Sequence, residues 1–381
     1  MTEERAGGGR EPAPEEPESP DRDRPAPAPD REERTAERRA LATEVLRRIV
    51  APDTRALSSL LVVVLAFVSA LAVGAIFVVL SDASVFSARD PLAALSTAGG
   101  DVVAAYGALW AGAVGDWSVM GPALTGQSGA QLSQAFYPLS ETLVAAAPLA
   151  MTGLAVAIGF RAGVFNIGGQ GQVLAGGLVA GWAGFTIHGL PAVIHVPLAL
   201  AAGLAAGAAW GLVPGLLKAW TGAHEVITTI MLNYVGIYLT YQLLNGVWFQ
   251  QPGRSDPISR QVDPGAVLPH LAGPSLRLHA GVILALLLVL AVKLLMQRTV
   301  LGFEFRAAGS NPSAARAAGI KVERVIVLVM AISGALMGLA GADVVLGVQY
   351  ELSPGFDSGI GFDGITVALL GRTNPAGIAA A

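Results

Sequence analysis

The chain has 381 residues, of which 53% are hydrophobic and 14% charged, with a net charge of −4 and a mean hydropathy of +0.58. A water-soluble domain of this length needs about 25% charged residues to cover its surface, so composition excludes an ordinary soluble enzyme. With no cysteine, disulfide frameworks, thiolate metal centres and thiol nucleophiles are excluded together.

Charge is segregated along the chain. Residues 1–45 are rich in Arg, Glu, Asp and Pro, with the run Glu11-Pro12-Ala13-Pro14-Glu15-Glu16-Pro17. Such a segment buries too little apolar surface to offset its ordering entropy and reads as a disordered cytoplasmic tail. No apolar core follows within the first thirty residues, so it is not a signal peptide. The overall acidic balance mostly reflects this tail and gives no reason to expect nucleic acid as a partner.

Residues 46–381 read as one transmembrane domain. Leu57–Leu80 carries no charge and at ~1.5 Å per residue is long enough to cross a ~30 Å hydrocarbon layer. Further spans are expected at about Thr142–Phe160, Gln172–Ile187, Val196–Leu217, Val226–Trp248, Gly281–Met296 and Val325–Val345. Arg38, Arg39, Arg47, Arg48 and Arg55 precede the first span, which places the N-terminus in the cytoplasm. Arg161, Lys218 and the basic segment Arg298–Arg324 then fall inside, while Ser81–Tyr137 and the acidic stretch after Val345 fall outside. Within that first outer loop, Leu92–Trp117 is expected as an amphipathic surface helix, with Gly99-Gly100 set against one continuous helix. Asn374-Pro375 reads as the cap and first residue of a helix that only a few residues follow, so the chain is expected to be truncated at its C-terminus.

Gly203, Gly207, Gly211 and Gly215 recur every fourth residue, as do Gly177 and Gly181, and Gly334 and Gly338. This spacing clears one helix face for close backbone approach. Thr152-Gly153-Leu154-Ala155 resembles Met337-Gly338-Leu339-Ala340, on spans expected to run in opposite directions. The expected fold is therefore an all-α polytopic membrane protein, a helix bundle with an inverted repeat and broken helices.

Three segments carry possible chemistry. In Phe165–Gln172, glycines interrupt the helix and Asn166, Gln170 and Gln172 offer neutral donors and acceptors suited to a neutral polar solute. An ordinary cytoplasmic turn is the alternative. In the fifth span, Glu225 complements the helix dipole, and Thr229 and Asn233 share one face. Before the last apolar run, Gly361-Phe362-Asp363-Gly364 places Asp363 where a cap is expected. On the cytoplasmic side, Asn311 caps a short helix with Pro312 at N1 and Gly319 at the left-handed C′ position. It either packs on the bundle or docks in a partner. The five histidines lack metal-ligand spacing, and no nucleotide-binding motif is present. No acidic residue is expected in the middle of a span, which disfavours an ion-coupled carrier.

From Pro148 onward the chain resembles the permease subunits of bacterial ATP-binding-cassette (ABC) importers for nucleosides and simple sugars. The motifs are Thr152–Ala157 with Phe160–Gly168, Glu225–Tyr234, Leu301–Phe303 with Gly309–Pro312, and Gly361–Ile365. Family members often carry Glu where this chain has Gln170. The resemblance implies a non-enzymatic subunit that binds no cofactor itself, ATP and Mg residing on a separate ATPase. Its other implied partners are a second permease subunit, an extracytoplasmic substrate-binding lipoprotein and membrane lipids. It implies a translocation path near Asn166, Gln170, Gln172, Thr229, Asn233, Phe362 and Asp363. It also implies ATPase coupling through Arg306, Asn311, Pro312, Ala315, Arg316 and Gly319. A stand-alone secondary transporter or channel for a small polar solute is the alternative.

Overall fold

A computed structural model of the chain describes residues 54–87, 90–125, 129–273 and 275–381. The expected tail at 1–45 lies outside them. The described residues are helical, without strands, and form two units divided at Val102 and Val103.

The first unit contains α1 (Thr54–Ser81), α2 (Ala83–Ser87) and the start of α3 (Pro91–Ala113). Leu65, Phe67, Ile76 and Phe77 of α1 are all exposed, as lipid-facing side chains are. The region expected as an amphipathic surface helix lies within a stretch, Pro91–Leu124, that is long and apolar enough to cross a membrane. α3 runs unbroken through Gly99 and Gly100 and buries none of its residues. Leu92, Leu95, Val102, Val103, Leu109 and Trp110 share one side of α3, and Thr97 and Asp101 lie on the other among alanines and glycines.

The second unit begins within α3 and continues with α4 (Trp117–Leu124), α5 (Gly129–Arg161), α6 (Gly169–Thr186), α7 (Ala192–Thr221) and α8 (Glu225–Leu244). α9 (Gly281–Arg298), α10 (Val300–Ser310), α11 (Pro312–Ala317), α12 (Val322–Val344), α13 (Ile360–Leu370) and α14 (Pro375–Ala380) complete it. A π-helical turn at Val345–Gln349 prolongs α12.

Among the described residues, seven helical stretches are long and apolar enough to cross a membrane, but they are not quite the expected seven. Pro91–Leu124 joins the set, and α6 is outside it. Six glycines and two glutamines dilute the hydropathy of α6, although fourteen of its eighteen residues are buried. At about 27 Å it still runs the depth of the unit. Protein covers most of it, leaving Val179 and Trp182 as its exposed apolar side chains, so it needs little lipophilic surface.

The glycine stripes are where the core closes. A Cβ on Gly207 of α7 would lie 2.2 Å from the Gly334 carbonyl oxygen of α12, and one on Gly338 would lie 2.3 Å from the Gly203 oxygen. On α6, a Cβ at Gly176 would lie 2.2 Å from the Gly338 Cα. Three helices therefore pack backbone against backbone, where any larger side chain would force them apart.

The loops show which helix ends coincide. At one end, Gly309 packs on Arg161 and Ala162, and Lys218 pairs with Glu225 at 2.5 Å. At the other, the Asp263 N–H donates to the Gly184 carbonyl at 2.9 Å, the Leu268 N–H to Leu346 at 3.0 Å, and Arg277 pairs with Glu141 at 3.1 Å. α5 and α12 accordingly run in opposite directions. Each is followed by an interruption and then a further helix, and the starts of those helices meet where Gly361 packs against Gly169 and Gln170. Arg254, Arg260 and Arg277 lie at the second of these ends. Two of them are neutralised locally, Arg254 by Asp256 at 2.6 Å and Arg277 by Glu141.

Candidate functional site

The interruption at 162–168 begins with Gly163, left-handed at φ +70°, whose α-carbon side faces Gly309 with a would-be Cβ at 3.2 Å. The chain then turns inward. Asn166 donates through Nδ2 to Gln172 Oε1 and to Ser333 Oγ, both at 2.8 Å. Its Oδ1 accepts from the Gly168 N–H at 3.1 Å and from Gln172 Nε2 at 3.1 Å. Ser333 passes its own proton to the Ala155 carbonyl at 3.0 Å. Asn233 on α8 completes the clamp, accepting from the Gly171 N–H and donating to the Ile167 carbonyl, each at 2.9 Å. Thr229 bonds back to the Glu225 carbonyl at 2.7 Å and packs against Gly168. Thr229 and Asn233 do share a buried face. Asn166, Gln172 and Asn233 are buried with their amides fully engaged, which is how polar groups fix a backbone break inside a bundle.

Gln170 differs. Its Nε2 donates to Asp357 Oδ2, while its Oε1 is buried without a partner. Asp357 belongs to the second interruption, the stretch between the π-helical turn and α13. This stretch descends along α6, Leu352 packing on Gly181 and Phe356 on Gly177. It turns through left-handed Gly355, Ser358 and Gly359. Gln170 and Asp357 line a cavity of about 640 Å³ together with Tyr238 and Tyr241 of α8.

Phe362 and Asp363 lie on the exposed side of α13, away from that cavity's lining. Asp363 does not cap the helix: left-handed Gly359 precedes it and Asp363 falls inside the first turn.

At the opposite end, Asn311 caps α11 by accepting from the Ala314 N–H at 3.0 Å, with Pro312 at the first helical position and Gly319 at φ +85°. Ala315 is the buried residue of α11; Asn311, Pro312, Arg316 and Gly319 are exposed and Arg306 is half-buried. Arg316 pairs with Glu323 at 2.9 Å on the surface.

The expectation that no acidic residue lies inside a span is overturned as well. Helical structure continues through Gln349, so Asp343 lies well inside a span, fully buried, with His279 Nδ1 at 3.7 Å. His279, just before α9, accepts the Gly281 N–H at Nδ1 at 3.1 Å. Burial, then the charges of His270 and Arg277, push its pKa down to about 4. Asp343, Asp357 and the two tyrosines were not singled out from sequence. A carboxylate beside otherwise apolar helix is the signal that would have found Asp343.

The described residues hold no group of three His, Cys, Asp or Glu side chains arranged for a metal ion. What the arrangement offers is a largely apolar cavity with a few polar groups, bounded by α6, α8 and the second helix break, and an exposed, capped helix at the other end.

Residues 139–381 match the family described as branched-chain amino acid transport system / permease component. The guanosine ABC transporter permease protein NupP of Bacillus subtilis is 37% identical over 84% of this chain and 82% of its own length. The nucleoside ABC transporter permease protein NupB of Lactococcus lactis is 36% identical over 63% of this chain and 68% of its own. The glucose ABC transporter permease protein TsgB13 of Haloferax volcanii is 39% identical over 62% and 64%. No solved structure matches the chain. A match over this much of the sequence, on a bundle of this kind, means that the chain belongs to the family of branched-chain amino acid transport system permease components.

Proposed function

We propose that this chain is a transmembrane permease subunit of an ATP-driven ABC importer that moves a nucleoside, or a simple sugar, inward across the plasma membrane. The observation that carries the reading is the likeness to the guanosine permease over more than four fifths of both chains. In this reading the end bearing Arg161, Lys218 and α10–α11 is cytoplasmic, as its basic residues favour, and so is the N-terminus. A separate ATPase holds ATP and Mg and docks on α11. A second permease subunit and an extracytoplasmic binding lipoprotein complete the importer.

Coupling would run through Arg306, Asn311, Pro312, Ala315, Arg316 and Gly319. The Gly309–Gly163 contact joins that segment to the first helix break, so movement of α11 has a direct mechanical route to Asn166 and its partners. Solute would pass beside Gln170, with Asn166, Gln172, Thr229 and Asn233 holding the path's backbone and Phe362 and Asp363 at its margin. No covalent step is required of this chain.

The test is uptake of labelled adenosine, guanosine and ribose by cells with and without the gene, before and after ATP depletion. The expected result is loss of ATP-dependent nucleoside uptake on deletion. Unchanged uptake of all three would refute the substrate assignment.

A further inference from the structure

The following rests on the reading above, that solute crosses the membrane beside Gln170. The cavity it lines is mostly apolar, with two distinctive parts: the polar groups of Gln170, Asp357 and Ser358, and the rings of Tyr238 and Tyr241. Its volume of about 640 Å³ falls within the range of small-molecule sites.

Each part is incomplete as protein structure. Gln170 is only 7% exposed and leaves Oε1 without a partner, a state that folded proteins rarely retain without a use. Asp357, 3% exposed, accepts through Oδ2 from both Gln170 and the Gly359 N–H. Its Oδ1 has no hydrogen-bond partner among the described residues. No Lys or Arg lines the cavity to balance the carboxylate. Tyr238 and Tyr241 stand three residues apart on one face of α8, 72% and 55% exposed. Their side chains line the same cavity as those polar groups.

We propose that this cavity reads a nucleoside by its two parts. Asp357 Oδ1 and Gln170 Oε1 accept hydrogen bonds from ribose hydroxyls, and the base lies against the rings of Tyr238 and Tyr241. A neutral, hydroxyl-rich solute completes the acceptors. A nucleotide brings phosphate charge toward an unbalanced carboxylate and is rejected. Asp357 is thus a specificity-determining residue.

The experiment uses the complete importer in cells lacking other nucleoside uptake. Initial rates and KM are measured for labelled adenosine and 2′-deoxyadenosine. Asp357→Asn keeps an acceptor for Gln170 and Gly359 but replaces the second oxygen with a donor. It is expected to lower the adenosine to deoxyadenosine rate ratio about fivefold, roughly the loss of one hydrogen bond. Tyr238→Leu, on an exposed surface, is expected to raise KM about threefold to tenfold for both compounds with the ratio unchanged, whereas Tyr238→Phe keeps the wild-type KM. Equal slowing of both compounds by Asp357→Asn would make Asp357 merely structural and overturn its role. An unchanged KM in Tyr238→Leu would overturn the stacking, and does so even if the Asp357 variant never reaches the membrane. A wild-type importer that carries neither compound would instead bring down the nucleoside reading itself, and this inference with it.

Discussion

The two helix interruptions use the same materials for different ends. At 162–168, every polar atom of the Asn166 side chain is engaged, by Gln172, Ser333 and the Gly168 N–H. At 350–359, Ser259 holds the Leu352 backbone, donating its N–H to the Leu352 carbonyl at 2.9 Å and accepting the Leu352 N–H at 2.8 Å, while Leu352 and Phe356 fill the spaces at Gly181 and Gly177. The polar side chains beside the cavity remain partly open, with Gln170 Oε1 and one oxygen of Asp357 unbonded among the described residues. A closed network specifies a backbone path. An open one beside a cavity is available to a ligand. Neutral amides near a break therefore do not by themselves indicate a solute site; their remaining hydrogen-bonding capacity does.

The largest expected effect tests that contrast directly. Asn166→Leu strands Gln172, Ser333 and the Gly168 N–H in the interior and is expected to destabilise the protein by about 2–4 kcal/mol. Asp357→Asn, which keeps an acceptor for the Gln170 amide and the Gly359 N–H, is expected to cost under about 1 kcal/mol. Thermal unfolding of the detergent-purified variants measures both. Similar losses for the two would erase the distinction between the breaks.

Acidification separates them in another way. The π-helical turn that opens the second interruption packs Gly347 onto the His279 ring, with a would-be Cβ at 2.6 Å. His279 is neutral in the fold because burial holds its pKa near 4, below the ordinary value of about 6.5. The depressed value means that the unfolded state binds the proton more readily. Stability is therefore fully present above about pH 6.5 and falls as pH drops from there toward 4, by at most about 1.4 kcal/mol per unit. His270 and Arg277 raise the cost of that proton, while Asp343 at 3.7 Å is the one facing carboxylate. Thermal unfolding of wild type and His279→Gln across pH 7 to 4.5 checks this. The variant should show the shallower decline, and hydrogen exchange should loosen around Val345–Gln349 before it does around Asn166.

Features set by a few neighbouring residues were legible in the sequence. The Asn311 cap with Pro312 and left-handed Gly319 is such a case, as is Asn374, which accepts from the Ala376 N–H at 3.3 Å. The every-fourth-residue glycines also predicted close helix contact, because spacing alone puts them on one face. Features created by distant residues were not legible. Gln170 and Asp357 are 187 positions apart, and Asp357 sits in a loop without periodicity. Tyr238 and Tyr241 look like any aromatic residues of a membrane helix until the loop that faces them is in place. Asp363 was expected as a cap because a carboxylate before an apolar run usually is one, yet Gly359 already turns the chain. The core helix α6 shows why hydropathy misleads here: a span shielded by protein is free to be rich in Gly and Gln.

The smallest expected change in stability belongs to the end remote from both cavity and π-helical turn. Arg316 and Glu323 form a pair in which both side chains are about half exposed, so solvent screens it and its loss costs little stability. Arg316→Glu should thus leave the melting temperature within a few degrees of wild type. Transport should respond very differently if α11 is the docking helix. Its small apolar anchor Ala315 is held in the protein while its polar residues face outward, and reversing a charge on that face opposes an interface without unfolding the helix behind it. ATP-dependent uptake is expected to fall at least tenfold, with less ATPase co-purifying. Intact uptake in this variant, with no ATPase recovered, would leave α11 as a packed surface helix. The mechanical route through Gly309 and Gly163 would then end at the first interruption, as a structural contact alone.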